Sequence, residues 1–280
     1  SYLIGDGTGH GEKNSEFMIA EACEYYRHFL AYHPDYAVVT NIDFDHPDYF
    51  NDEHDMFDAF QSFVNQVKNT VVICGDDRLA SQLKPAHAKT VKYGFNDGND
   101  YQIKNVQTTP EHSKFDIYKN SKLLGTFTMA VFGLHDISNA TSAIALADMN
   151  GISVEKIQES LDQYRPAERR FSEHKLGNNV VVDDYAHHPT EIKATLKAIK
   201  SVDSSRLVAI FQPHRYSRVH FLLDEFKDAF ADVDKVILLP IYAAGEKNEF
   251  NVSSEILKNS KLVLPVLMLY DVNIFKCILM

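Results

Sequence analysis

The stretch YAVVTNIDFDHPDYFNDEHDMFDAFQSFVNQVKNTVVICGDD, residues 36–77, decides the fold class. Its opening run, Tyr36-Ala37-Val38-Val39-Thr40, is short and apolar and predicts a strand ending in polar residues. From Asp52 to Lys68 the apolar residues Met56, Phe57, Phe60, Phe63, Val64 and Val67 recur at helical spacing. Residues 70–73 then read as a second strand, stopped by Gly75-Asp76-Asp77. Strand, helix, strand at this spacing signals a parallel sheet with a crossover helix, hence an α/β protein.

Working outward, residues 17–21 also read as a strand. Between Tyr101 and Met129 the pattern changes to strands joined by polar turns such as Lys119-Asn120-Ser121, an antiparallel insertion. Helices are expected over 136–149 and 153–164. The helical pattern breaks at Arg165-Pro166, which places a domain boundary there and divides the chain into 1–164 and 165–280. Residues 180–182, 207–211 and 236–239 are short apolar strands with amphipathic segments between them, so the second domain is expected to be a Rossmann-like, doubly wound sheet. Ligands of such sheets sit beyond the carboxyl ends of strands, and the polar clusters follow the expected strands in both halves. The tail, 261–280, is apolar without turn chemistry and fits no element.

Composition narrows the function. The 280 residues are 45% hydrophobic and 24% charged, enough to bury real cores. Lys+Arg 28 against Asp+Glu 39 gives a net charge of −11, the opposite of a nucleic-acid binder's footprint, yet compatible with a local basic pocket for an anionic metabolite. Cys23, Cys74 and Cys277 lie far apart and form neither a disulfide framework nor a CxxC site, so a reducing cytoplasm is the expected location. No secretory signal and no membrane-spanning apolar run stands out. The start at Ser1, inside an apolar strand-like run, points to part of a longer protein.

Four clusters carry candidate chemistry. In VVVDDYAHHPTE, residues 180–191, a strand delivers Asp183, Asp184, Tyr185, His187 and His188 to its carboxyl end before Pro189 opens a helix. The plain alternative is a strand–helix turn with Asp and His capping the backbone. In FQPHRYSR, residues 211–218, Arg215 and Arg218 lie three apart, so on an opening helix both would share a face and clamp a carboxylate or phosphate. The alternative is a solvated basic patch. In TNIDFDHPD, residues 40–48, a His and carboxylates suit a divalent cation that keeps several waters, with a further carboxylate from Glu21 or Glu24, or else a capped turn. The Gly-rich stretch at 5–15, GDGTGHGEKNS, lacks the Gly-Lys-Ser/Thr order of a phosphate loop because Glu12 and Asn14 interrupt it, and reads as a flexible or substrate-proximal turn.

Together the segments TNIDFDHPDYF (40–50), GLHDISNA (133–140), RRF (169–171), VDDYAHHPTEI (182–192) and FQPHRYSR (211–218) resemble the Mur ligases of bacterial cell-wall synthesis, in the family's order over residues 1–250. The last two resemble the branch that joins L-alanine to UDP-N-acetylmuramate rather than the related ligase that recycles murein peptides. The resemblance implies most of a central ATPase domain and most of a C-terminal domain, with the UDP-sugar-recognising domain and the ATP loop upstream of Ser1, so that this chain alone is expected to be catalytically impaired. It implies ATP and magnesium, the latter at Glu21 and His46. It places adenine contacts at His135 and Asn139, although Asp136 stands where Asn is usual. It puts the L-alanine pocket at Tyr185, His187, His214, Arg215 and Arg218, with His187, His214 and Arg215 nearest the chemistry and Asp183 and Asp184 beside them. The implied reaction activates the lactyl carboxylate as an acyl phosphate, from which the amine of L-alanine displaces phosphate. Neither His187 nor His214 is singled out as the base. The tail at 261–280 does not match the family's closing strand. Two rival readings fit the same residues: a metal-dependent hydrolase built on Asp183, His187, His188 and His214, and a non-catalytic product that retains a nucleotide or amino-acid pocket.

Overall fold

Strand β2 (Thr70–Cys74) shows why the sequence folds as it does: all five of its residues are buried. In this computed structural model, which describes residues 16–109, 112–131, 133–167, 170–177, 179–202, 206–259 and 266–268, the chain divides into two units. The first comprises residues 1–44 and Tyr49–Arg165, the second Asp45–Asp48 and Pro166–Met280.

In the first unit β2 lies in a six-stranded sheet of order β1-β2-β3-β4-β5-β6, the others being β1 (Tyr36–Val39), β3 (Lys89–Gly94), β4 (Tyr101–Thr108), β5 (Ser113–Lys119) and β6 (Lys122–Met129). The pairs from β1 to β4 are parallel, and β4-β5-β6 are antiparallel. Successive side chains of a strand point to opposite faces. Val71 and Ile73 accordingly join Met56, Phe63 and Val64 of helix α1 (Glu53–Asn65) in one core, while Val72 and Cys74 join Ile137 and Ile144 of helix α2 (Leu134–Met149) in another. A strand covered on both faces reads as an unbroken apolar run, which is what TVVIC is. Helix α1 starts where Asp52 accepts the Asp55 N–H at 2.8 Å. Helix α3 (Val154–Gln163) follows α2. The expected Lys119-Asn120-Ser121 turn is the β5–β6 hairpin, with Asn120 and Ser121 both in the left-handed region at φ 48° and 67°.

The expected strand at 17–21 does not form. Residues 17–24 carry no regular structure, and Phe17, Met18 and Ile19 are 55%, 90% and 88% exposed. An apolar run becomes a strand only when another strand completes its ladder, and no described strand pairs with this one.

In the second unit β9 (Val208–Phe211), β10 (Lys235–Leu238) and β11 (Val266–Met268) form a parallel sheet of order β11-β10-β9. Helices α4 (Pro189–Val202), α5 (Tyr216–Phe221), α6 (Leu223–Ala229) and α7 (Ser254–Asn259) accompany it. Phe211 is fully buried with its ring 5.6 Å from Phe226 and 5.3 Å from Phe230. Residues 180–182 depart from expectation. They belong to β8 (Asn179–Asp183), which among the described residues pairs antiparallel with β7 (Ser172–Leu176) instead of joining the parallel sheet. Val180 is 56% exposed, whereas a central parallel strand is covered on both faces.

The Gly-rich stretch at 5–15, Arg169 and most of the tail at 261–280 lie outside the described residues. Among the described residues no helix is long and apolar enough to cross a membrane.

Phe127, fully buried in the core that α2 covers, sets a test of this packing. Phe127→Ala is expected to lower unfolding stability by about 3–5 kcal/mol in urea titration. Leu123→Ala, at a half-exposed position on the same strand, should cost within about 0.5 kcal/mol.

Candidate functional site

The carboxyl end of β8 is held by its own side chains. Asp184 is buried and accepts the Phe171 N–H at 2.9 Å and the Ala186 N–H at 2.7 Å. One turn into α4, Glu191 accepts the backbone N–H groups of His187 (3.0 Å) and His188 (3.2 Å), and the His188 Nδ1 accepts the Thr190 N–H at 3.3 Å. These bonds satisfy amides that a helix start leaves open. Asp184, His188 and Glu191 therefore build the turn, and they leave Tyr185 and His187 projecting from it. Tyr185 is 40% exposed, with the Arg170 guanidinium 5.6 Å over its ring.

Beyond β9, His214 bridges to Tyr242 in the segment after β10. The Arg215 N–H donates to the Tyr242 carbonyl and the Tyr242 N–H to the Pro213 carbonyl, both at 2.8 Å. This tie holds Arg215 at φ 69°, a conformation that costs a non-glycine residue of order 1 kcal/mol or more. Arg215 thus caps α5 from outside, and the two arginines do not share a helix face as their spacing suggested. Their guanidinium groups part company. Arg218 is 2% exposed and grips Asp45 with two bonds, Nε to Oδ1 at 3.0 Å and Nη2 to Oδ2 at 2.8 Å, while its Nη1 donates to the Nδ1 of His214 at 3.1 Å. Arg215 donates from Nη1 to Asp48 at 3.2 Å and to Glu246 at 3.3 Å.

Glu246 escaped the sequence reading. Its carboxylate also accepts the Ser217 hydroxyl at 2.7 Å and the Ser217 N–H at 3.1 Å. The available signal was Ala243-Ala244-Gly245-Glu246: a turn with Ala244 and Gly245 at φ 49° and 87° that aims one carboxylate just beyond a strand.

The charges shape the imidazoles. Burial alone would raise the Asp45 carboxyl, but the Arg218 fork and the neighbouring His46 overrule it and hold it far below the usual range. Burial, then Arg218, His187 and Arg215, push His214 down to about 4, with only Glu246 opposing. Burial and Arg218 likewise lower His187, against Glu191 and Asp45. Both rings are neutral at pH 7, with centroids 5.7 Å apart.

The remaining candidates sit elsewhere. His135 and Asn139 lie one turn apart on the same face of α2, the first half-buried beside Asp136 (3.5 Å), the second exposed. Glu21 is exposed on the segment without regular structure, and His46 lies largely buried with Nε2 3.8 Å from Asp45. Among the described residues no group of three or more His, Cys, Asp or Glu side chains could hold a metal ion. The three-ligand hydrolase centre is therefore not assembled among them.

Residues 9–147 match the Mur ligase middle domain and residues 169–265 the Mur ligase glutamate ligase domain. The structure is similar to that of UDP-N-acetylmuramate-alanine ligase from Thermotoga maritima, with 26% identity and a TM-score of 0.69 over 90% of this chain and 56% of that one. It shares its fold with the MurF ligase of Thermotoga maritima in complex with ADP, at 16% identity and a TM-score of 0.68 over 90% and 59% of the two chains. It also shares it with the murein peptide ligase of Psychrobacter arcticus, at 20% identity and a TM-score of 0.59 over 87% and 51%. The chain spans little more than half the length of these proteins.

The Asp45–Arg218 pair should show in acid. Because the folded state depresses the Asp45 pKa, its contribution is full above the unfolded value of about 3.9 and is lost as pH falls toward the folded one. The depressed His214 pKa acts in the same sense between about 6.5 and 4: the unfolded state binds the proton first, so stability drops as pH falls. Denaturation curves from pH 7 to 3 should therefore steepen below pH 6.5. Asp45→Ala should cost about 3–5 kcal/mol at pH 7 by stranding a buried guanidinium, and should remove the part of the acid slope below pH 4.

Proposed function

The chain belongs to the Mur ligase family, and on that premise we propose that it serves the ATP-dependent joining of L-alanine to UDP-N-acetylmuramate in peptidoglycan precursor synthesis. The observation that carries this reading is the convergence of Tyr185, His187, His214 and Arg215 in the second unit, on turns that follow β8 and β9. A small amino acid needs a cation for its carboxylate and a non-cationic surface beside its amine, and this cluster offers both. The QPHRYSR segment and the likeness to an alanine ligase support L-alanine as the amino acid.

Arg215 is the carboxylate receiver. Its side chain is 22% exposed where that of Arg218 is 3%, and a guanidinium carries five N–H donors, enough to hold a substrate carboxylate beside Asp48 and Glu246. Arg218 sets the position of Asp45 and His214. In the first unit, His135 and the amide of Asn139 present a polar helix face suited to the edge of the adenine ring. The magnesium candidates are Glu21 of the first unit and His46 of the second, and a carboxylate or an imidazole suits that ion only where water and phosphate oxygens complete its shell. Magnesium, when bound there, would neutralise phosphate charge. What the chain's own residues do is bind the amino acid, hold its carboxylate away from the reacting centre and leave its amine in contact with neutral rings.

ADP release tests the reading. With ATP, magnesium and UDP-N-acetylmuramate, release should depend on L-alanine and not on D-glutamate or diaminopimelate; dependence on another amino acid would move the protein to a different branch of the family. Arg215→Ala should raise the KM for L-alanine about 10- to 100-fold, the worth of a charge-assisted pair, with a smaller effect on kcat. If the chain binds L-alanine in a calorimeter yet never releases ADP, it is a binding product and not a working ligase.

A further inference from the structure

We propose that His187 and His214 present opposite hydrogen-bonding polarity, so that His187 offers an Nε2 lone pair and takes the proton from the incoming amine while His214 offers an Nε2–H donor. The first half of this proposal stands on geometry alone, and the second rests on the ligase reading.

A guanidinium has only donors and a carbonyl oxygen only accepts. Nη1 of Arg218 lies 3.1 Å from Nδ1 of His214, so that nitrogen must be the bare acceptor, and the proton of the neutral ring sits on Nε2. Nδ1 of His187 lies 2.9 Å from the Tyr185 carbonyl oxygen and 3.6 Å from the Glu191 carboxylate. Two acceptors at one nitrogen require the N–H there, which leaves Nε2 of His187 as the bare one. The two rings are thus complementary, one basic and one donating. Facing His187 are Tyr185 and Glu191 from its own segment, Arg218 and His214 from the β9 side, and Asp45. Facing His214 are Arg218, Arg215, His187, Glu246 and Tyr242.

The chemical consequence is a defined proton path. The N–H bond of the alanine ammonium breaks toward His187 Nε2, the electron pair stays on the amine nitrogen, and the ring becomes an imidazolium that Glu191 steadies. The freed pair attacks the activated carboxyl carbon, and phosphate leaves with the electrons of the broken C–O bond and takes up the surplus N–H proton, so that the nitrogen ends as a neutral amide. His214, whose Nδ1 is occupied by Arg218, cannot accept this proton through Nδ1 and presents N–H on its other side, so it orients an oxygen of the substrate.

Long-range 1H–15N NMR of the histidine-labelled chain reads the tautomers directly, with His187→Gln and His214→Gln assigning the signals. The expected result is a pyridine-like Nε2 in His187 and a pyridine-like Nδ1 in His214; the same tautomer in both rings overturns the proposal. In the ligase assay, His187→Ala should lower kcat/KM for L-alanine about 100-fold at pH 7 and abolish its decline on the acid side, with partial rescue by added imidazole. Persistence of that decline overturns the base role. A wild-type protein that neither releases ADP nor binds L-alanine saturably refutes the ligase reading instead, and the NMR result stands apart from it.

Discussion

A buried guanidinium is expensive unless its donors are met, and Arg218 organises the second unit around that requirement. It is almost wholly buried, and its planar fork fits both oxygens of Asp45 while a third nitrogen reaches His214. The consequences run outward from these three bonds. Asp45 stays ionised in spite of its burial, His214 stays neutral and of one tautomer, and residues 45–48 belong with the second unit although the chain on both sides of them belongs with the first. A lysine could not replace it, since a point charge with a single nitrogen cannot serve a carboxylate and an imidazole in one plane.

The second arginine answers to different constraints. Arg215 is pinned by its backbone bonds to Tyr242 and held in a left-handed conformation, outside the helix that Arg218 belongs to. Strain of this kind persists only where surrounding contacts over-determine it. Here those contacts are the His214–Tyr242 bridge and the Glu246 carboxylate, which binds Arg215 and Ser217 together. Two arginines three residues apart have thereby become unlike groups. One is part of the interior, and the other keeps a partly exposed charge at the place where an amino-acid carboxylate is proposed to arrive.

Membership of the Mur ligase family fits this division of labour between a parallel-sheet unit and a second α/β unit. In the first, β2 carries side chains into two cores at once, and the helix that bears His135 and Asn139 packs on one of them. Positioning of these polar residues is a by-product of burying Ile137 and Ile144 on the opposite side of α2. The same economy appears in the second unit, where Asp184, His188 and Glu191 spend their polar atoms on the backbone of a turn and so fix where Tyr185 and His187 point.

By itself the sequence determined the elements with a strong local signal: the apolar run of β2, the apolar stripe of α1, the hairpin turn at Asn120-Ser121 and the strand-end positions of Tyr185, His187, His214 and Arg215. These follow from local spacing, because a side chain's face is set by its distance along the chain from its neighbours. Tertiary structure decided the rest. Residues 17–21 have the composition of a strand and no described strand beside them; residues 180–182 pair with Ser172–Leu176 rather than with the parallel sheet. Glu246 and Asp45 join the site from 31 and 173 residues away from the arginines they bind, and that union sets which imidazole donates and which accepts. Hydrogen-bond partners remote in sequence leave no periodic trace, and only the folded chain brings a donor within 3 Å or so of its acceptor.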